Sequence, residues 1–75
     1  MYGYTIAIVK ANKHASLSNI GVKLGRACIA ADIPISKVAA DFNVTRTTVY
    51  NWFSGSTRPS MRMESAIEQY IKELA

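Results

Sequence analysis

Apolar residues recur at steps of three and four along most of this chain, which is the spacing of one face of an α-helix. The first series predicts a helix from about 18 to 31, with Ser16 or Ser18 as its N-cap. Its members are Leu17, Ile20, Leu24, Ala27, Cys28 and Ala31. Gly21 and Gly25 lie inside this helix, where each costs roughly 1 kcal/mol relative to alanine. Their presence predicts a neighbouring element packed close to the helix backbone.

A second, short helix is predicted after the Asp32-Ile33-Pro34 segment. Proline ends the preceding helix because it lacks an amide hydrogen and restricts the residue before it. The new helix begins either with Ser36 as its cap or with Pro34 in its first turn. Its buried side consists of Val38, Ala39 and Phe42. Asn43 follows at a turn, where we expect the left-handed conformation.

The helix after this turn has the clearest start signal in the chain. Thr45 can accept a hydrogen bond from the amide of Thr48, and Val44 and Val49 have the spacing of a hydrophobic staple. Gly55 is expected to end the helix. The predicted core face consists of Val49, Trp52 and Phe53. The opposite face is polar and consists of Arg46, Thr47, Tyr50, Asn51 and Ser54.

A last helix is predicted after the loop at 56–59, with Ser60 as its cap. Its apolar stripe consists of Met63, Ala66, Ile67, Tyr70, Ile71 and Leu74. Glu68 and Lys72 have the spacing of an ion pair on the exposed side. The stripe is long for a helix of this size, so it predicts a contact with a second subunit.

The N-terminal residues 2–9 are rich in β-branched and aromatic types, which favours a strand. A lone strand leaves its backbone unpaired, so it would need the same arm of a second subunit or another edge. A disordered tail or an added helical turn is an equally good interpretation. We therefore predict an all-α bundle of four to five helices over residues 16–75, preceded by an arm at 1–15 that can be a β-strand.

Length and charge bound what such a bundle can do. A chain of 75 residues holds one domain with one small core, and a partner subunit would relieve its marginal stability. Residues 1–31 carry a net charge of +4, residues 32–63 carry +2 and residues 64–75 carry −2. A basic body with an acidic end fits a polyanion that approaches from one side, although a solubilising surface gives the same pattern.

Several classes of site lack the residues they need. Cys28 and His14 are the single cysteine and histidine, so we expect no disulfide framework and no metal site. We interpret Cys28 as a small buried side chain and His14 as an exposed linker residue. There is no carboxylate pair, Cys–His pair or phosphate loop, so we expect no catalysis, no cofactor and no small-molecule ligand. The apolar run at 6–9 is too short for a signal or membrane segment, which predicts a soluble cytoplasmic protein.

Residues 35–59 resemble the helix-turn-helix of the lambda repressor, Cro and Xre-like family of phage and bacterial regulators. The matching residues are the Val38-Ala39 pair, the Asn43-Val44-Thr45 turn, the core positions Val49 and Trp52, and Gly55 and Pro59 of the exit loop. The sequence differs from the family pattern in two ways. Ile35 occupies a position where the family often has a phosphate-contacting Gln, so Ser36 and Lys37 would have to replace that contact. Family members commonly have a further C-terminal helix, for which the N-terminal arm is the only candidate substitute that we identify, so the family's mode of dimerisation is not carried over.

The resemblance implies a transcriptional regulator of a bacterial or phage-infected host cell that binds double-stranded DNA. We expect a homodimer on an inverted repeat, with repression by blocking polymerase and activation as the alternative. The helix at 45–54 would enter the major groove, where Arg suits guanine, Asn suits adenine and the Thr methyl suits thymine. The predicted base contacts are Arg46, Thr47, Tyr50 and Asn51. The predicted DNA backbone contacts are Ser36, Lys37, Thr45, Ser54 and Arg58.

A different class of protein fits the same fold. An antitoxin-like or polymerase-binding adaptor would share the core but would not need Arg46, Thr47 and Asn51 on one face.

Overall fold

The computed structural model describes residues 4–74, which form five α-helices, one short 3-10 turn and no strand. The helices are α1 (Ile6–His14), α2 (Ile20–Ala31), α3 (Ile35–Phe42), α4 (Arg46–Ser54) and α5 (Glu64–Leu74), with the 3-10 turn at Met61–Met63. Helix α2 packs against α1, α4 and α5, and α4 also contacts α1 and α3. The predicted all-α bundle is confirmed.

Helix α1 replaces the strand that we considered for the N-terminal arm. Thr5 caps it by accepting a hydrogen bond of 3.3 Å from the amide of Ile8, and the helix continues to His14. It is thus longer than the added turn that was the alternative. Ile8 is 1 % exposed, and burial of this kind outweighs the weak preference of β-branched residues for strands. Residues 2 and 3 of the proposed strand lie outside the described residues.

A buried amide joins α1 to the rest of the bundle. Asn12 is 2 % exposed, and its Nδ2 donates to the carbonyl oxygens of Val22 at 3.1 Å and Phe53 at 2.7 Å. The guanidinium of Arg26 donates to the backbone carbonyls of Asn12 at 2.8 Å and Lys13 at 3.1 Å, at the end of α1. The N-terminal segment is therefore built into the same core as the start of α2 and the end of α4.

Two predicted caps are wrong. Helix α2 begins at Ile20 and is capped by Asn19, whose side chain accepts from the amide of Gly21 at 2.8 Å. Ser16 and Ser18 instead bond to each other at 2.8 Å. Ser60 makes no capping hydrogen bond, and the chain passes through the 3-10 turn before α5 begins. At α2 a neighbouring residue, Asn19, bonds to the first amides in place of the two serines, so residue type alone does not place the cap.

Helix α3 begins directly after Pro34, which is the extended N-cap residue with φ −68° and ψ 150°. Ser36 therefore lies in the first turn and is not the cap. Asp32 adopts a left-handed conformation (φ 60°) at the end of α2, a position that the sequence pattern did not single out. Asn43 has φ 56° and ψ 47° at the end of α3, as predicted.

The apolar stripe of α5 is mostly used inside the monomer. Ile67 is fully buried, and four other residues of the stripe are partly buried against the core: Met63, Tyr70, Ile71 and Leu74. Ala66 is exposed. The predicted pair of Glu68 and Lys72 is not formed, and the one ion pair among residues 4–74 joins Lys37 to Asp41.

Burial of ionisable groups makes the fold sensitive to base. Burial raises the pKa of the Cys28 thiol from 9.0 to about 12, with a smaller contribution from the charge of Asp41. Because the folded-state pKa is the higher one, the stability from this group is complete below pH 9.0 and is lost as the pH rises toward 12. The pKa values of Tyr4 and Tyr70 are also raised, chiefly by burial.

Between about pH 8 and about pH 10, Cys28 should therefore account for roughly 1.4 kcal/mol of lost stability. Urea unfolding at the two pH values checks this, with Cys28→Ala as the comparison. The variant should lose about that much less than the parent across the same interval. Equal losses would contradict the prediction.

None of the helices in the described part of the chain combines the length and the apolar character needed to span a bilayer.

Candidate nucleic-acid interface

The turn between α3 and α4 is fixed by short-range hydrogen bonds. The amides of Asn43 and Val44 donate to the carbonyls of Ala40 at 3.2 Å and Ala39 at 2.9 Å. The Thr45 hydroxyl then accepts from the amide of Thr48 at 3.1 Å, which confirms the predicted cap. Val44 packs against the core just before this cap. The entry of α4 is thereby set by bonds within a few residues.

The inner face of α4 is held by the core from several sides. Val49 and Phe53 are fully buried and Trp52 is 4 % exposed, as predicted. The ring of Trp52 meets Phe42 of α3 edge-on, with centroids 6.2 Å apart. At Gly21 of α2, a Cβ atom would lie 2.8 Å from the Cβ of Trp52, so the glycine allows a close helix crossing. Gly55 ends α4 in the left-handed region, with φ 85°.

A cleft of about 510 Å³ lies between the start of α3 and the outer face of α4. It is lined by Pro34, Ile35, Ser36, Arg46, Thr47 and Tyr50. The structure thus brings three of the four predicted base-contact residues together with Ser36, a predicted backbone contact. The side chains of Arg46 and Thr47 are exposed, and Tyr50 is 42 % exposed although it is large and aromatic.

Asn51 is the predicted base-contact residue that does not line the cleft. It is half-buried one position further along α4, and its carbonyl accepts the amide of Thr57 at 3.3 Å in the loop that follows. Its side chain makes no hydrogen bond with residues 4–74, so the amide is free to turn toward a ligand.

Lys37 is a predicted phosphate contact that already has a partner. Its Nζ donates to Asp41 Oδ2 at 2.9 Å, and the hydroxyl of Tyr70 donates to the same oxygen at 2.8 Å. These two hydrogen bonds, that from Lys37 first, lower the pKa of the Asp41 carboxyl. Since the Lys37 side chain is 57 % exposed, it can contact a phosphate from this position.

The remaining predicted backbone contacts make structural bonds of their own. Thr45 is occupied by its capping bond, and Ser54 Oγ donates to the carbonyl of Asn51 at 3.3 Å. The guanidinium of Arg58 donates to the carbonyl of Ser18 at 3.4 Å. Ser54 is the last residue of α4 and Arg58 lies in the loop that follows, whereas the cleft is at the N-terminal end of the helix. The predicted backbone contacts Thr45, Ser54 and Arg58 are therefore spread over both ends of α4.

The electrostatics of the cleft favour an anion. No carboxylate lines it, and its one charged side chain is that of Arg46. The N-terminal ends of α3 and α4 both border it, and Pro34 gives α3 no side-chain cap. The first amides of a helix have no intrahelical partner and carry partial positive charge. An oxyanion such as a phosphate is therefore favoured at its edge.

The contribution of Pro34 and Ile35 was missed from the sequence. Ile35 was noted only as the wrong residue for a phosphate contact, but it forms part of the wall opposite α4. The available signal was its place in the first turn of α3, three residues before the buried Val38 and so on a neighbouring part of the same helix face. Among residues 4–74 there is no group of three His, Cys, Asp or Glu side chains that could hold a metal ion.

No family model matches this chain, and no curated protein and no solved structure matches it. The resemblance of residues 35–59 to the lambda repressor, Cro and Xre-like family therefore stays a prediction from the residues themselves.

Proposed function

We propose that this protein is a non-catalytic regulator of transcription that binds a specific sequence of double-stranded DNA. It would act in the cytoplasm of a bacterial or phage-infected host cell and repress by excluding polymerase. The observation that supports this proposal is the lining of the cleft between α3 and α4. Arg46, Thr47 and Tyr50 of α4 lie exposed there beside Ser36, and no carboxylate lines the cleft.

The arrangement fits the major groove in size and in chemistry. Helix α4 has nine residues and is tied to the core by its inner face alone, so its first turns can enter the groove. Arg46 can bind the O6 and N7 atoms of a guanine in a bidentate manner, and Asn51 can bind an adenine in the same way. Thr47 and Tyr50 complete the surface that faces the base pairs.

Phosphate contacts would flank this surface and fix its position. The uncapped start of α3 and the Ser36 hydroxyl lie on one side of the cleft, and Lys37 follows Ser36 in the same helix with an exposed side chain. Thr45, Ser54 and Arg58 would serve along and beyond α4. Contacts of this type hold the register of a protein on DNA but carry no sequence information.

We further propose that two copies bind together as a homodimer. An apolar groove of about 280 Å³ stays open between α2 and α5. It is lined by Ala27, Ala30, Ala31, Ile71 and Leu74. Two copies joined by a twofold axis would present their α4 helices to major grooves about 34 Å apart. Light scattering at micromolar concentration tests this, and a monomer would contradict the paired-site arrangement.

The DNA-binding proposal is tested by selecting bound duplexes from a random pool at two salt concentrations. We expect an enriched inverted repeat and an affinity that falls with salt, because phosphate contacts release counterions. The absence of both an enriched motif and a salt dependence would overturn the proposal. It would favour the protein-interaction adaptor, which uses the same fold without reading DNA.

Arg46→Ala should lower the affinity for the selected site by about 1 to 3 kcal/mol and relax the preference for guanine at one position. Binding curves on the selected duplex and on its single-base variants measure both effects. The control is Lys23→Ala, which also removes one positive charge but lies beside Glu68 and Ile71 on another face. A similar loss in both variants would show that charge alone matters at Arg46.

A further inference from the structure

The cleft between α3 and α4 has an apolar wall that phosphate binding does not explain. Pro34 and Ile35 at the start of α3 and the ring of Tyr50 on α4 line it. Ile35 also packs against the edge of the core and is half-buried, so its position is fixed. Such a wall adds to the affinity when an apolar group of the ligand covers it, and it lowers the affinity when a polar group loses its hydrogen bonds there.

The polar groups beside this wall are mainly donors. Arg46 donates only, and the hydroxyls of Ser36 and Thr47 can donate or accept. No carboxylate or carboxamide lines the cleft, so it lacks a strong acceptor for the amino group of cytosine or adenine. The matching base edges are those that offer acceptors to the cleft.

Two bases fit this combination of donors and apolar surface. Guanine presents the acceptors O6 and N7 in the major groove, and thymine presents the acceptor O4 beside its C5-methyl group. Thymine is the one base whose edge carries an apolar group. Arg46 suits the acceptors of the guanine, so the apolar wall suits the methyl group of the thymine.

We infer that the cleft recognises the 5-methyl group of a thymine that neighbours the guanine bound by Arg46, and that Ile35 is the residue in contact with this methyl. The inference rests on the proposed DNA-binding function. It narrows the expected DNA sites to those in which a thymine neighbours a guanine. It also assigns a role in specificity to a residue of α3, outside the helix that carries the other base contacts.

The test replaces each thymine of the selected site by uracil, one at a time. Uracil keeps O4 and the base pair and lacks only the methyl group. We expect one position in each half-site to lose about fourfold in affinity, the factor for one buried methyl group. Equal affinity for thymine and uracil at every position would overturn the inference while leaving DNA recognition intact.

The assignment to Ile35 is tested with Ile35→Gln. In this variant the ratio of the affinities for the thymine and uracil duplexes should fall from about four to about one. The ratio comes from one protein preparation, so a partly unfolded variant does not change it. Ile29→Gln is the matched control, because Ile29 is also half-buried at the edge of the core but lines a different groove.

The control should keep a ratio of about four. If Ile35→Gln also keeps a ratio of about four, the methyl group contacts another residue, such as Thr47, and the assignment to Ile35 is overturned. Failure to select any DNA sequence would overturn the proposed function itself, a result distinct from equal binding of thymine and uracil.

Discussion

Asn12→Asp is expected to lower the free energy of unfolding by about 3 to 5 kcal/mol, most of what a domain of this size possesses. The Asn12 amide donates to the carbonyls of Phe53 and Val22 in a site that is 2 % exposed. A carboxylate cannot donate, and its charge would face two carbonyl oxygens without compensation. Urea unfolding at neutral pH, followed by circular dichroism, measures the loss.

The pH dependence separates this cause from a simple loss of contacts. The new carboxyl would have a folded-state pKa above its unfolded value, so its destabilising effect is complete above the folded-state pKa. The effect shrinks as the pH falls toward the unfolded value of about 3.9. Asn12→Ala is the control, with an expected loss of about 2 to 3 kcal/mol that does not change with pH. A pH-independent deficit in Asn12→Asp would contradict the explanation.

Gly25→Ala is expected to destabilise the protein by about 2 to 3 kcal/mol, although the same change in an open helix would be favourable. A Cβ atom at this position would lie 2.6 Å from Asn12 Nδ2 and 2.7 Å from Phe53 Cγ. Both atoms belong to well-packed side chains, so the helices must separate or the Asn12 hydrogen bonds must break. Thermal and urea unfolding measure the change.

The exposed face of the same helix supplies the control for Gly25→Ala. Lys23→Gly should be only about 1 kcal/mol less stable than Lys23→Ala, and this difference isolates the backbone effect of glycine at an exposed position. The double variant Asn12→Ala/Gly25→Ala should be less destabilised than the sum of the two single variants, because truncation of Asn12 removes the nearest clashing atom. Strict additivity would show that the Asn12 amide is not what excludes a side chain at Gly25.

The segment from α3 to the end of α4 could be predicted from the sequence because its determinants are local. The left-handed residue Asn43, the cap from Thr45 to Thr48 and the stop at Gly55 each depend on a few consecutive residues. The buried positions of α4 follow from helical spacing. Three of the predicted base-contact residues also meet in one cleft for this reason, since they share one face of a single helix.

The N-terminal helix could not be predicted in the same way. Its composition is compatible with either a strand or a helix. The contacts that hold it as a helix are the burial of Ile8 and the hydrogen bond from Asn12 to Phe53, 41 residues away in sequence. The cleft wall likewise depends on how α3 crosses α4, which places Ile35 opposite Tyr50. Long-range contacts of this kind leave no periodic signal in the sequence.

The outer face of α4 is decoupled from the hydrogen bonding of the fold. Within residues 4–74, the side chains of Arg46, Thr47 and Tyr50 make no hydrogen bond or ion pair, whereas the inner face of the same helix is fully buried. Exposed substitutions without structural partners usually change stability by no more than about 0.5 kcal/mol. A descendant of this protein could therefore exchange all three side chains, and acquire a new binding preference, without first having to evolve a more stable core.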